Sequence, residues 1–170
     1  MKNEQVKKNK EPLLKNRRWL LFFSLFVFLC SFVFCQSAER LEVLLNTAAL
    51  SYEQAAAFVL EAADIQMRSE KLEMRNGEEF KYAKDRGWLF GNVDGGDRVR
   101  LDSVSLLVMK AFELKGGAFY TLFQNPHYAY RELQYKKMIE GKNAPAMLVS
   151  GDMLLFILSR VLSHTDGNSP

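Results

Sequence analysis

Cysteine and histidine are scarce in this 170-residue chain, with two of each. Both cysteines, Cys30 and Cys35, sit inside one apolar run, so the rest of the chain holds neither a disulfide framework nor a cysteine metal site. His127 and His164 have no HExxH-type partner and no neighbouring cysteine, which argues against zinc or acid–base work and predicts exposed loop histidines. No G-x-S-x-G is present, and the nearest case, Ser150-Gly151, fits a helix cap instead. Glycoside hydrolysis needs two carboxyls held across a cleft. Glu78, Glu79, Glu113, Glu132 and Glu140 instead read as solvated helix faces, ends and corners. The expectation is a protein that is not an enzyme, with no cofactor and no metal.

Basic excess is also missing where a nucleic-acid binder would need it. The formal charge is +3, but residues 1–38 carry seven of the 23 Lys/Arg and two of the 20 Asp/Glu. That leaves 16 basic against 18 acidic groups in residues 39–170, which gives no support to nucleic-acid binding.

The polar and basic leader, residues 1–18, ends in Lys15, Arg17 and Arg18, and residues 19–35 then run for 17 residues without a charge. A helix of that length reaches about 26 Å, just short of a hydrocarbon core of roughly 30 Å. Small residues at Cys35 and Ser37 would suit cleavage before Ala38. Residues 19–38 are therefore either a cleaved signal peptide or a retained signal-anchor, and both place the basic flank in the cytoplasm and export residues 39–170. A lipoprotein would want a small residue before its cysteine, where Phe34 and Leu29 stand.

What the chain has in quantity is repetition. Leu50–Ala63 (LSYEQAAAFVLEAA), Leu101–Leu114 (LDSVSLLVMKAFEL) and Val149–Leu162 (VSGDMLLFILSRVL) each open with an apolar residue and a short polar one. Ser51, Asp102 and Ser150 are predicted N-caps. Four, five, seven and twelve residues on come Ala55, Ala56, Phe58 and Ala63, then Leu106, Leu107, Met109 and Leu114, then Leu154, Leu155, Ile157 and Leu162. Each set forms one apolar stripe on a helix, and the period near fifty marks a repeated supersecondary unit.

The unit is larger than one helix. Phe80 and Ala83 precede the corner Trp88-Leu89-Phe90-Gly91 as Tyr130 and Leu133 precede Met138-Ile139-Glu140-Gly141. Gly87 is a predicted helix stop, and Gln66–Asn76 a charged, solvent-facing stretch. The fold class expected is all-α: a small bundle of two to three helix-loop-helix repeats over residues 39–168, behind the N-terminal apolar segment.

Short helix, apolar corner, loop, cap and long helix succeed one another in the order of the S-layer homology domain, which this chain resembles over most of residues 50–163. The corners GWLFG (Gly87–Gly91) and KMIEG (Lys137–Gly141) take the place of its "GI-x-G", and LSYEQ, LDSVS and VSGDM that of its "ITRAE". The resemblance implies a three-repeat helical bundle that holds exported proteins to cell-wall polymers. The chain departs from it at the charges: the motif Arg falls on Tyr52, Ser103 and Gly151, and the motif Glu on Gln54, Ser105 and Met153. A guanidinium fork suits carboxylate and phosphate, and none stands at those places.

Asn92, Asp94 and Asp97 invite a Ca²⁺ reading, but no late bidentate Glu comes after them and a Gly-rich turn explains them better. Phe119, Tyr120, Phe123, Tyr128, Tyr130 and Tyr135 are aromatics that either fill a core or line a groove. Tyr128, Tyr130 and Arg131 are the candidate recognition surface, joined by Tyr52 at a motif place. The expected function is a non-catalytic, exported, envelope-associated module that binds cell-wall glycan or peptidoglycan. The alternative is a helical scaffold that docks another envelope or membrane protein. Membrane contact through residues 19–35 is expected if the segment is not cleaved.

Overall fold

The computed structural model describes residues 39–67, 78–141 and 143–166. The basic leader, the apolar run 19–35 with its cleavage place, and most of the Gln66–Asn76 stretch lie outside the described residues. The chain divides into two compact units between Val43 and Leu44. In the first, residues 39–43 are helical. The second is all-α, with α1 (Tyr52–Met67), α2 (Glu79–Asp85), α3 (Leu101–Ala111), α4 (Ala118–Phe123), α5 (Pro126–Tyr135) and α6 (Gly151–Asp166). No strand occurs among the described residues, and no helix there is long and apolar enough to cross a membrane.

Three equivalent crossings organise the second unit. The Leu50 N–H donates to the Val149 carbonyl (2.8 Å), the Val149 N–H to the Val99 carbonyl (3.1 Å), and the Val99 N–H to the Leu50 carbonyl (2.9 Å). This closed ring of backbone bonds has its three side chains buried. Each crossing residue stands two places before a long helix, α1, α3 or α6.

The loops repeat the same plan. Turns close from Thr47 N–H to the Leu44 carbonyl, from Asp97 to Asp94 and from Met147 to Ala144. The carbonyls of Asp97, Met147 and Thr47 then accept the N–H of Tyr52, Leu101 and Gly151, the first residue of each long helix. Orphan donors at helix starts are thereby satisfied by the neighbouring repeat. The cycle closes because residues 44–50 supply for α6 what the second and third loops supply for α1 and α3. Gly151 is required at that closure, since a Cβ there would lie 1.7 Å from the Leu44 carbonyl oxygen.

This ring fixes the repeat register, and it corrects the middle copy. The equivalent first helical residues are Tyr52, Leu101 and Gly151, so Arg100, not Asp102, is the N-cap of α3. Arg100 provides only backbone there, with no side-chain cap bond. Asp102 lies inside the first turn, where its Oδ1 accepts from the Ser103 N–H (2.8 Å). Val104, Ser105 and Leu107 therefore stand beside Ala55, Ala56 and Phe58, two places earlier than the sequence pattern implied. The slip has a physical origin. Val104 to Met109 are buried without a break, so α3 has no polar face to set its phase. Ser105 fits inside by donating its hydroxyl to the Leu101 carbonyl (2.6 Å).

At α1 the expected cap is present as a reciprocal pair. Ser51 Oγ accepts from the Gln54 N–H (3.2 Å), and Gln54 Oε1 accepts from the Ser51 N–H (3.0 Å). At α6 the Ser150 carbonyl takes the Leu154 N–H, while its hydroxyl and the Met153 N–H both hydrogen-bond the Asp152 carboxyl. The Ser150 hydroxyl is the larger of those causes holding Asp152 below the usual carboxylate range. Glu53, Asp102 and Asp152 thus occupy the same second helical position, where the helix dipole favours an anion.

The corners before α3 and α6 superpose in the same way. The Trp88 N–H reaches the Ala83 carbonyl and the Met138 N–H the Leu133 carbonyl, both at 2.9 Å. Gly87 and Lys137 are left-handed there (φ 67° and 58°), as are Gly91 and Gly141 (φ 84° and 87°). The core these elements enclose joins α3 to α5 and α1, α1 to α2 and α6, and α4 to α5.

Candidate functional site

The expected recognition residues do not share a surface. Tyr52 is 6 % exposed and its hydroxyl donates to Ser103 Oγ (3.0 Å). Tyr130 is also 6 % exposed, with its hydroxyl on the Asn143 carbonyl. Both are core residues, because they fall on the inner side of α1 and α5 while their hydroxyls find internal acceptors. Tyr128 is half-buried and Arg131 exposed, on the outer side of α5.

Two aromatic groupings remain accessible. The first surrounds the α2 corner. Tyr82 and Arg86 are four apart, which puts them on one helix face. The Arg86 guanidinium lies over the Tyr82 ring at 4.5 Å from its centroid and 5.7 Å from that of Trp88. Tyr82 and Trp88 meet edge to face (5.6 Å, 89°). Gly87, in the left-handed conformation, makes the reversal that brings Trp88 back against Tyr82. A guanidinium held over aromatic rings keeps its N–H donors for a further partner, and that fork matches carboxylate or phosphate oxygens. No hydrogen bond or ion pair takes it up among the described residues.

The second grouping is built by α4 and the start of α5. Gly116 and Gly117 let α4 come close: a Cβ on the first would meet the Tyr120 ring at 2.3 Å, and on the second Glu132 Oε1 at 2.8 Å. Tyr120 points inward, and burial foremost, with Glu132 second, pushes its phenol up to about 12. Gln124 reverses the chain in the left-handed region, and the Asn125 side chain caps α5 on the Tyr128 N–H (3.0 Å) with Pro126 at its first position. His127 therefore belongs to the first turn of α5 and not to a loop, edge-on to Tyr128. The Tyr128 ring stacks on Phe119 (5.7 Å, 11°) and on Phe123 (5.4 Å, 21°). His164 likewise lies within α6, which runs on to Asp166.

Four further carboxylates, Asp94, Asp97, Asp102 and Glu140, are engaged locally. Asp97 Oδ2 accepts from the Asp94 N–H (2.9 Å) and Asp94 Oδ1 from the Gly95 N–H (2.7 Å), so these two side chains shape their own turn. No group of three or more metal-ligating side chains occurs among the described residues. Glu140 pairs with Arg160, whose guanidinium also lies over Phe156 (5.1 Å). Arg100 pairs with Asp102 at 2.8 Å.

The sequence pointed to the aromatics of residues 119–135 but missed the Tyr82–Arg86–Trp88 grouping. The i, i+4 spacing of Tyr82 and Arg86 was a signal for it, while Trp88 joins only through the turn at Gly87. Comparison with protein-family models, curated proteins and solved structures finds no match for this chain.

Proposed function

We propose that residues 39–170 form a non-catalytic, exported, envelope-associated module that binds an anionic cell-wall polymer. The observation that carries this is the exposed Arg86 guanidinium held against Tyr82 and Trp88. It offers, at the corner of a repeat, the planar cation that the S-layer homology pattern would place at the helix starts, on Tyr52, Gly151 and, in the register of the fold, Leu101 in place of Ser103. Flanking aromatic rings suit sugar faces, and the guanidinium suits a carboxylate or phosphate on the polymer.

Co-sedimentation of the purified protein with protein-free sacculi tests it. Wild type should pellet, and Arg86→Ala should weaken the association about tenfold, the value of one charge-assisted bidentate contact. Arg86→Lys keeps the charge without the fork and should recover little. Equal pelleting of wild type and Arg86→Ala would sink the proposal.

A second function, a scaffold docking another envelope or membrane protein, is favoured by the exposed apolar side chains of α4. Stable co-purification with one protein, without sacculus binding, would be its signature.

A further inference from the structure

The α4–α5 face is apolar and, among the described residues, exposed. Phe119, Leu122 and Phe123 share one side of α4 and are 67, 74 and 53 % exposed. Contiguous apolar exposure of this kind marks an interaction surface in a water-soluble domain. The side of α5 that carries Tyr128 continues through Arg131 to Tyr135, both exposed. Few polar groups are free for a sugar here, since the Thr121 hydroxyl turns to the Gly117 carbonyl (3.1 Å) and Lys110 Nζ holds the Gln124 side chain.

Charge selects the partner. Residues 110–137 carry five Lys/Arg against Glu113 and Glu132, whereas the rest of residues 39–170 carries 11 against 16. Glu132 is half-buried beside Gly117 and Tyr120, while Lys115, three residues before α4, and Arg131, on the Tyr128 side of α5, are exposed. Aromatic and aliphatic side chains in a segment of net positive charge, within an otherwise acidic domain, suit an anionic bilayer: rings at headgroup depth, cations on phosphates, the acidic remainder repelled.

We propose that the α4–α5 face rests on an anionic phospholipid surface, with Phe119, Leu122 and Phe123 entering the headgroup region and Lys115 and Arg131 contacting lipid phosphates. This is independent of the wall-polymer site at Arg86.

The test uses the full chain carrying Cys30→Ser and Cys35→Ser, with a polarity-sensitive fluorophore on Leu122→Cys. It is reconstituted in phosphatidylcholine vesicles containing roughly one-third phosphatidylglycerol, an anionic surface of the kind basic segments bind. The emission should shift to the blue and be quenched by lipids bearing a nitroxide near the headgroup. The same label on Phe90→Cys, an exposed position outside this face, should stay aqueous. Lys115→Glu with Arg131→Glu, or vesicles of phosphatidylcholine alone, should return the Leu122 label toward water, the double reversal by roughly tenfold or more. A Leu122 label that remains aqueous on anionic vesicles overturns the proposal. So does a label that is shifted yet unreachable by nitroxide lipid, because the face is then covered by protein.

Discussion

Gly151 and Tyr120 show how single residues hold this structure. At Gly151 a methyl group would collide with the Leu44 carbonyl oxygen, backbone that cannot step aside. Gly151→Ala should therefore cost about 3 kcal/mol, read as a lower urea midpoint with an unchanged slope. Tyr120 is neutral in the fold, with its phenol raised to about 12 from an ordinary 10.0. A folded pKa above the unfolded one contributes stability that is complete below pH 10 and is lost as the pH climbs toward 12. Alkaline unfolding should begin in that window. Glu132→Gln, which removes the smaller of the two causes, should lower the phenol's ultraviolet titration midpoint part of the way while burial holds the rest. Neither residue was legible in the sequence. The constraint on Gly151 comes from residue 44, more than a hundred places away, and the inward turn of Tyr120 depends on Gly116 and Gly117 drawing α4 against α5.

At the scale of elements, the repeated corner offers an internal comparison. Gly87 and Lys137 make the same reversal after α2 and α5 with nearly the same positive φ, yet only one is glycine. The left-handed conformation costs a side-chain-bearing residue about 1–2 kcal/mol, partly offset by glycine's greater freedom when unfolded. Lys137→Gly should therefore stabilise the protein by up to about 1 kcal/mol, and Gly87→Lys should destabilise it by a similar amount. Paired urea titrations would show the opposite signs. The long helices, the corners and the all-α class were readable because caps, glycines and apolar spacing agree locally. Three features were not. The phase of α3 was lost because that helix is buried on every side, and the cap at Arg100 is made by backbone alone. α4, only six residues long, is placed by glycines and by Tyr128 more than by its own pattern. The candidate recognition surface failed at Tyr52 and Tyr130 for a related reason: a tyrosine with a nearby internal acceptor is as well placed in a core as on a surface, and sequence cannot distinguish them.

For the molecule as a whole, the ring of Leu50, Val99 and Val149 joins segments that are 49 and 50 residues apart. Its three amides are buried and mutually bonded, so they should exchange with solvent only through global unfolding and be the slowest in the chain. Native-state hydrogen exchange should give all three the same free energy of opening, equal to that from denaturant melting. A lower value for one of them would mean that its repeat opens independently. The ring also bears on timing. Synthesis delivers residues 44–50 first and α6 last, so the carbonyl that starts α6 and the amide that meets Val149 wait, solvated, through everything in between. No subset of the three units can complete the circuit, and a partly made chain has no finished end surface at which to stop. Folding of the ring is thereby deferred until the last helix is free, so a chain that stops short of α6 should lack the protected Leu50, Val99 and Val149 amides.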